Sequence, residues 1–317
     1  PMPRPQDDTR GCCSPRCDPS LTRFAPPVVR RTLRIVWGFI ESDFFTFAVP
    51  NTAFGIVSAL ASSRLLEGPA PRPADVLRRG PAVLLFNLYS LLLFDLANQR
   101  SPEAVEEDRV NKPWRPIPSG LITPEQTREA MLFTAPAALG LNYMLGVWNE
   151  GLLVQVLSYY YNELNGGGGL FRDAIISVSY GLANRTSLHL AIGPENAISP
   201  QGRLWTVIIS AVVFTTMHIQ DLKDQAGDSR VGRRTVPLVL GDGLCRVILA
   251  FSIPSWSLVA ARFWGLGIVG SLLYCLPAAV IAARLLGKRK QQQDAQTWRL
   301  WCLWHASLYV LPLLSSE

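Results

Sequence analysis

Residues Arg203 to Thr235 read R-L-W-T-V-I-I-S-A-V-V-F-T-T-M-H-I-Q-D-L-K-D-Q-A-G-D-S-R-V-G-R-R-T. Leu204 to Gln220 hold no carboxylate, lysine or arginine, and then Asp221, Asp224 and Asp228 follow in quick succession. An apolar run of this length is what a membrane helix needs, about 20 residues. Asp221, Asp224 and Asp228 are spaced three and four apart, so a continuous helix places them on one face. Three like charges there repel unless a cation sits between them, and hard oxygen ligands suit Mg²⁺. Lys223 and Arg230 are positioned to hold phosphate oxygens. Arg233 and Arg234 read as charges that fix membrane orientation. The plain alternative is a solvated loop laced with salt bridges.

The rest of the chain has the same character. Of 317 residues, 49% are hydrophobic and only 17% charged, against roughly 25% charged in soluble domains. Mean hydropathy is +0.19. Apolar stretches fall near 37–62, 80–97, 125–146, 149–164, 170–192, 203–221, 239–261, 264–286 and 298–315. They predict an all-α, polytopic membrane bundle of about nine transmembrane helices around a central cavity. Residues 1–33 are polar, Pro-rich and basic, and read as a disordered cytosolic tail. Residues 34–317 form the membrane domain. Three cysteines (Cys12, Cys13, Cys17) lie in the tail, at spacings that suit neither a metal site nor a disulfide scaffold.

Charge sets the expected orientation. With nine spans, the tail and the loops after even-numbered spans carry 22 of the 30 Lys and Arg, and the opposite side carries 6. The positive-inside rule places the first side in the cytosol. This accounts for the formal charge of +6 without nucleic acid, for which no reading module is present. No Ser-His-Asp set, P-loop or dinucleotide fingerprint appears.

A second acidic cluster ends the second span, on the same side as the first: D-L-A-N-Q-R-S-P-E-A-V-E-E-D-R-V-N-K-P-W-R-P-I-P-S-G, Asp95 to Gly120. Three prolines within Lys112 to Pro118 exclude regular helix. They predict a stiff loop that fixes Lys112 and Arg115 beside the acidic residues. Two clusters of carboxylates and cations facing one compartment point to a membrane enzyme acting on a diphosphate. Within the fifth span, Arg185 is a candidate to line the cavity and reach that diphosphate; a buried structural ion pair is the alternative. Tyr159, Tyr160, Tyr161, Phe44 and Phe45 are candidate cavity walls that stabilise carbocations by cation–π contact, with lipid-facing positions as the default.

The two motifs resemble those of the UbiA superfamily of intramembrane prenyltransferases. The likeness rests on N-K-P-W-R-P-I-P-S-G at 111–120 and D-x-x-D-x-x-x-D-x-R-x-G-x-x-T at 221–235, and extends over nearly all of the chain after the tail. It implies that Asp224 and Asp228 take the family's second D-x-x-x-D positions as catalytic metal ligands. The first motif departs from the N-D-x-x-D-x-x-x-D form and is similar to a fungal branch that includes terpene cyclases. About two extra residues lie between Asn98 and Glu107. The resemblance carries metal and catalytic roles to Asn98, Glu107 and Asp108, with Glu103 and Glu106 as rivals. It implies a Mg²⁺-dependent terpene cyclase that ionises a prenyl diphosphate such as farnesyl diphosphate and releases pyrophosphate. The alternative is a prenyltransferase acting on an aromatic or other acceptor. The implied setting is an integral membrane protein of the endoplasmic reticulum with its active site facing the cytosol. Lipid and a prenyl diphosphate are its expected partners, with no nucleic acid and no obligate protein partner.

Overall fold

The computed structural model describes residues 26–61, 63–169 and 171–314. Its helices are α1 (Pro27–Asp43), α2 (Val49–Ala61), α3 (Pro73–Gln99), α4 (Pro102–Asn111), α5 (Pro124–Met144), α6 (Trp148–Asn162) and α7 (Arg172–Ile192). They continue with α8 (Pro200–Thr216), α9 (Asp221–Arg230), α10 (Val236–Leu240), α11 (Asp242–Phe263), α12 (Ile268–Gly287), α13 (Gln291–Leu308) and α14 (Leu311–Leu314). Each expected apolar stretch coincides with a helix or with two joined end to end. Five segments are long and apolar enough to cross a membrane by length and composition: Pro27–Ala61, Pro73–Gln99, Pro200–Arg230, Asp242–Phe263 and Ile268–Gly287. Helix α1 starts at Pro27, inside the stretch expected to be tail. Residues 1–25, with Cys12, Cys13 and Cys17, lie outside the described residues.

Proline sits inside α3, α5, α11 and α12. Membrane helices tolerate this because neighbours re-satisfy the freed backbone groups. One such repair is visible between α1 and α2, where Phe44–Ala48 form a π turn. Pro50 has no N–H for the carbonyl of Thr46, four residues earlier. The Tyr180 hydroxyl of α7 donates to that carbonyl instead, at 3.1 Å.

The long helices form a closed ring. Helix α2 packs on α3 and α7, α3 on α5 and α6, α7 on α8, α8 on α11, α11 on α12 and α12 on α13; α14 returns to α2. The largest apolar core includes Phe54, Val83, Leu188, Trp205, Ile209, Leu249, Ile281 and Trp304. Gly55 lets α2 approach α7, since a Cβ there would stand 2.5 Å from the Ser187 carbonyl carbon. Exposed apolar side chains such as Leu132, Phe133, Phe251, Ile268 and Leu272 cover the outside, as expected where lipid rather than water is the solvent.

The ring has two unlike ends. At one, two short antiparallel strands, β1 (Leu66–Glu67) and β2 (Ala197–Ile198), tie the α2–α3 loop to the α7–α8 loop. At the other gather the last turns of α3 and α6, the start of α7, and the short helices α4 and α9. Ser101 caps α4, accepting a hydrogen bond from the Ala104 amide at 3.1 Å, with Pro102 at the first helical position. Helix α9 continues α8 through a 3₁₀ turn, Met217–Gln220. Lys112 to Gly120 is a turn-rich loop as its prolines require. The glycine run is a short 3₁₀ turn, Gly166–Gly168, between α6 and α7.

Candidate active site

The two acidic motifs meet face to face. Helix α4 packs on α9 because Gly227 has no side chain: any Cβ there would run into Asn111. The Asn111 amide donates to the Asp224 carbonyl at 3.3 Å, fastening the two helices. On α9, Asp221 and Asp228 are buried and Asp224 is partly buried. On α4, Glu107 and Asp108 are buried.

Each of these five carboxylates faces a cation, with Arg233 shared by two. Arg115 places one terminal nitrogen 2.9 and 3.1 Å from the two Asp108 oxygens and the other 3.5 Å from Asp43 Oδ2. Arg172 donates to both oxygens of Asp221 at 2.8 Å, and its Nε donates to the Tyr161 hydroxyl at 3.3 Å. Lys223 pairs with Asp224. Arg233 lies between the motifs, 2.6 Å from Glu107 Oε2 and 3.5 Å from Asp228 Oδ1.

Burial weakens the charge of Arg115, but Asp108, Asp43 and Asp95 around it outweigh that and hold its pKa above the usual value. The same balance, with Tyr161 and Glu107 as the main favourable neighbours, raises Arg233. Lys112 moves the other way. Burial and the neighbouring Arg115 lower its pKa, with Asp224 only partly opposing them.

Of the residues singled out in the sequence, Glu107, Asp108, Lys112, Arg115, Asp221, Lys223, Asp224 and Asp228 come together. Asn98 lies in the last turn of α3, where its amide donates to Asn162 of α6 at 3.0 Å. Glu106 pairs with Arg109 on the exposed side of α4. Arg230 is exposed at the end of α9. Arg185 is not brought to the cluster. It lies 13 residues beyond Arg172, about 20 Å along the helix at 1.5 Å per residue, and is 3.9 Å from Glu150. Among the aromatic candidates only Tyr161 reaches the site, its ring 5.1 Å from that of Phe94. Tyr159, Tyr160 and Phe45 are exposed, and Phe44 packs on Trp37.

Sequence reading does not single out Arg172 or Asp43, and has Asp95 only as the start of its motif; Arg233, read as an orientation charge, also pairs with both motifs. The signal for Arg172 was its position, a lone cation at the start of a span, facing the same side as both motifs. Asp43 lies inside the first apolar stretch and Asp95 near the end of the second, and a carboxylate in either place needs a partner.

A metal requires free oxygen ligands, and the donor set here is mostly carboxylate oxygen. Buried Asp228 Oδ2 and Asp95 Oδ2 have no hydrogen-bond partner. Among the described residues, no three His, Cys, Asp or Glu side chains already converge closely enough to hold an ion. The carboxylates are turned toward arginines and lysines instead. Asp43, Asp95, Glu107, Asp108, Asp173, Asp221, Asp224 and Asp228 outnumber Lys112, Arg115, Arg172, Lys223 and Arg233. An excess of anionic oxygen among these paired side chains, with Asp173 3.8 Å from Arg172, suits a divalent cation.

Two acidic helices, each following a long apolar helix, are thus packed together over arginines that pair with their carboxylates. Residues 97–307 match the UbiA prenyltransferase family, and the chain belongs to it. It is 32% identical over 307 residues to somaliensene A/B synthase of Streptomyces somaliensis, covering 89% of this chain and 95% of that one. It is 28% identical to diterpene cyclase eriG of Hericium erinaceus, covering 88% and 86%. The fold is shared with a UbiA homologue from Archaeoglobus fulgidus bound to GPP and Mg²⁺. That likeness has a TM-score of 0.53 at 11% identity, over 88% of this chain and 99% of the other. The protein is thus a UbiA-type enzyme whose near full-length relatives include a terpene synthase and a diterpene cyclase.

Proposed function

We propose that the protein is a Mg²⁺-dependent terpene cyclase that ionises a prenyl diphosphate, with farnesyl diphosphate as the substrate to test first. The reading is supported by near full-length similarity to a terpene synthase and a diterpene cyclase. The structural observation that carries the site assignment is Arg233. Its guanidinium spans Glu107 of one motif and Asp228 of the other, so carboxylates of both motifs are close enough to share a cation.

Glu107, Asp108, Asp221, Asp224 and Asp228 would hold Mg²⁺, with Asn98 at the edge, and the ion supplies charge neutralisation for the diphosphate. Lys112, Arg115, Arg172, Lys223 and Arg233 add donors to the same anion. Binding the diphosphate gives these cations an alternative to their present carboxylate partners. The carboxylates are then freed for ligation. Donors aimed at the leaving group stabilise the negative charge that grows there as the C–O bond breaks.

The allylic cation then needs a dry, electron-rich chamber. Nearby, Phe47 of the π turn meets Tyr180 of α7 edge-on at 5.6 Å, and in the packed core Phe54 of α2 meets Tyr309, just past α13, at 5.2 Å. Aromatic faces of this kind stabilise a passing cation. In a cyclase a double bond of the same chain attacks the cation, and loss of a proton leaves a cyclic hydrocarbon and pyrophosphate. We further propose that nine helices span the bilayer around this chamber, with the motif end in the cytosol, on the strength of the 22-to-6 charge asymmetry.

The deciding experiment supplies purified protein with farnesyl or geranylgeranyl diphosphate and Mg²⁺ and no acceptor. Pyrophosphate together with a cyclic hydrocarbon is the expected result. Turnover only on adding a phenolic or quinonoid acceptor would overturn the cyclase reading in favour of prenyl transfer.

A further inference from the structure

Outside the site, one buried cation stands apart. Arg246, in the second turn of α11, is 1% exposed. Its Nε donates to both oxygens of Asp242 at 2.9 and 3.0 Å. Its two terminal nitrogens reach the two oxygens of Asp294 at 2.7 and 2.8 Å, and one also reaches the Lys288 carbonyl at 2.9 Å. One guanidinium therefore fastens the start of α11, the α12–α13 turn and the first turn of α13. Its planar fork matches a carboxylate in a way that a lysine cannot.

The network continues to the active site. The Gln225 amide of α9 donates to Asp242 Oδ1 at 3.1 Å. The Gln291 amide of α13 donates to the Lys223 carbonyl at 3.0 Å. Gln225 and Lys223 flank Asp224. Helix α9 is thus held on one side by α4, through Asn111 and Arg233, and on the other by a chain of polar contacts that leads back to Arg246.

A buried ion pair adds little net stability, because desolvating both charges offsets their attraction. What this one supplies is geometry. We propose that Arg246 is a positioning residue: through Asp242 and Gln225 it fixes the seating of α9, and so of Asp224 and Asp228, relative to α4. The inference rests on the reading that α9 carries metal ligands. Seating matters there because a ligand set spread over two helices is sensitive to displacements of about 1 Å.

The test uses the full-length protein in detergent micelles. Arg246→Lys keeps the charge and loses the fork, and Gln225→Leu removes only the link to α9 at nearly constant volume. Hydrogen exchange of the α9 amides, measured without Mg²⁺, reads the seating directly. Both variants should show exchange across Asp221–Arg230 about tenfold faster than wild type, on the scale of one hydrogen bond to a charged acceptor. Exchange in α7 and α8 should be unchanged.

In turnover assays the Mg²⁺ concentration for half-maximal rate should rise several-fold, with a smaller fall in kcat. The double variant should be no worse than the more severe single, because both act on one chain of contacts. If Arg246→Lys does not fold, Gln225→Leu decides alone. A folded Gln225→Leu protein with wild-type α9 exchange and wild-type Mg²⁺ dependence would overturn the proposal. Should the wild-type enzyme show no Mg²⁺ dependence, the metal reading falls, while the exchange data still decide whether Arg246 seats α9.

Discussion

Arg233→Ala separates the catalytic reading of this arginine from its reading as an orientation charge. Its side chain is 21% exposed and bridges Glu107, 9% exposed, and Asp228, 2% exposed. Removing it leaves two buried carboxylates, one from each motif, without their shared cation. Breaking a buried pair in this way costs about 3–5 kcal/mol. At about 2–4 °C per kcal/mol, as for domains of 150–250 residues, the variant should melt at least 6 °C lower in magnesium-free detergent. If the two carboxylates bind a divalent cation, Mg²⁺ should restore much of the loss. A ligand at about 100 times its Kd adds about 2.7 kcal/mol, and in the variant no guanidinium competes for the oxygens. The Mg²⁺-induced rise in melting temperature should therefore be larger in Arg233→Ala than in wild type, and half-saturate at lower Mg²⁺. Turnover should fall about 10- to 100-fold, because the diphosphate loses one cation. The assay is tryptophan-fluorescence melting across a Mg²⁺ titration, with pyrophosphate release in parallel. An Arg233→Ala protein with wild-type melting and the same Mg²⁺ response would refute the reasoning and return Arg233 to the topology charges.

Asp224→Ala and Asp228→Ala should each lower pyrophosphate release by about 10²-fold or more, the scale of losing a metal ligand, with membrane insertion unchanged; near-wild-type activity in Asp224→Ala would remove α9 from the metal site. Gly227→Ala should push Asn111 aside and cut turnover about tenfold, and Asn111→Ala should restore part of it; an active Gly227→Ala single variant would show that close α4–α9 contact is dispensable. In its proposed role Lys112 would bind the diphosphate only when protonated, and its lowered pKa means the ammonium is lost as pH rises, before an ordinary lysine near 10.4 titrates. So kcat/KM, which reports the free enzyme, should fall on the alkaline side, and Lys112→Arg should move that limb to higher pH; an unchanged alkaline limb in Lys112→Arg would assign it elsewhere.

The apolar pattern carried most of the fold because lipid-facing helices need long uncharged stretches, and each one found in the sequence coincides with a helix. What the pattern could not show is where polar groups pair across the ring. The Tyr180 hydroxyl that repairs the Thr46 carbonyl joins residues 134 positions apart. No local rule links them. The two-residue strands were equally invisible, because they exist only where two distant loops meet.

Most of the acidic half of the site was readable and the basic half only in part, with Lys112, Arg115 and Lys223 legible and Arg172 and Arg233 not, for a physical reason. A carboxylate at a membrane-helix end is costly and needs a specific partner, so its presence alone points to chemistry. Lys and Arg on the cytosolic side are abundant whether or not they do chemistry, since orientation already favours them. Arg230, Arg233 and Arg185 illustrate the consequence. Arg230 reads as a phosphate-holding cation of the second motif, yet it is exposed at the end of α9, whereas Arg233 lies three residues further on. The chain has by then left the helix, Gly232 with φ +68° reverses it, and the guanidinium folds back between the two motifs. Arg185 draws attention by lying inside a span, but its partner is Glu150 of the neighbouring helix. Packing against carboxylates of both motifs is what sets Arg233 apart from a cation that only fixes orientation. That property belongs to the packed ring and not to any single stretch of it.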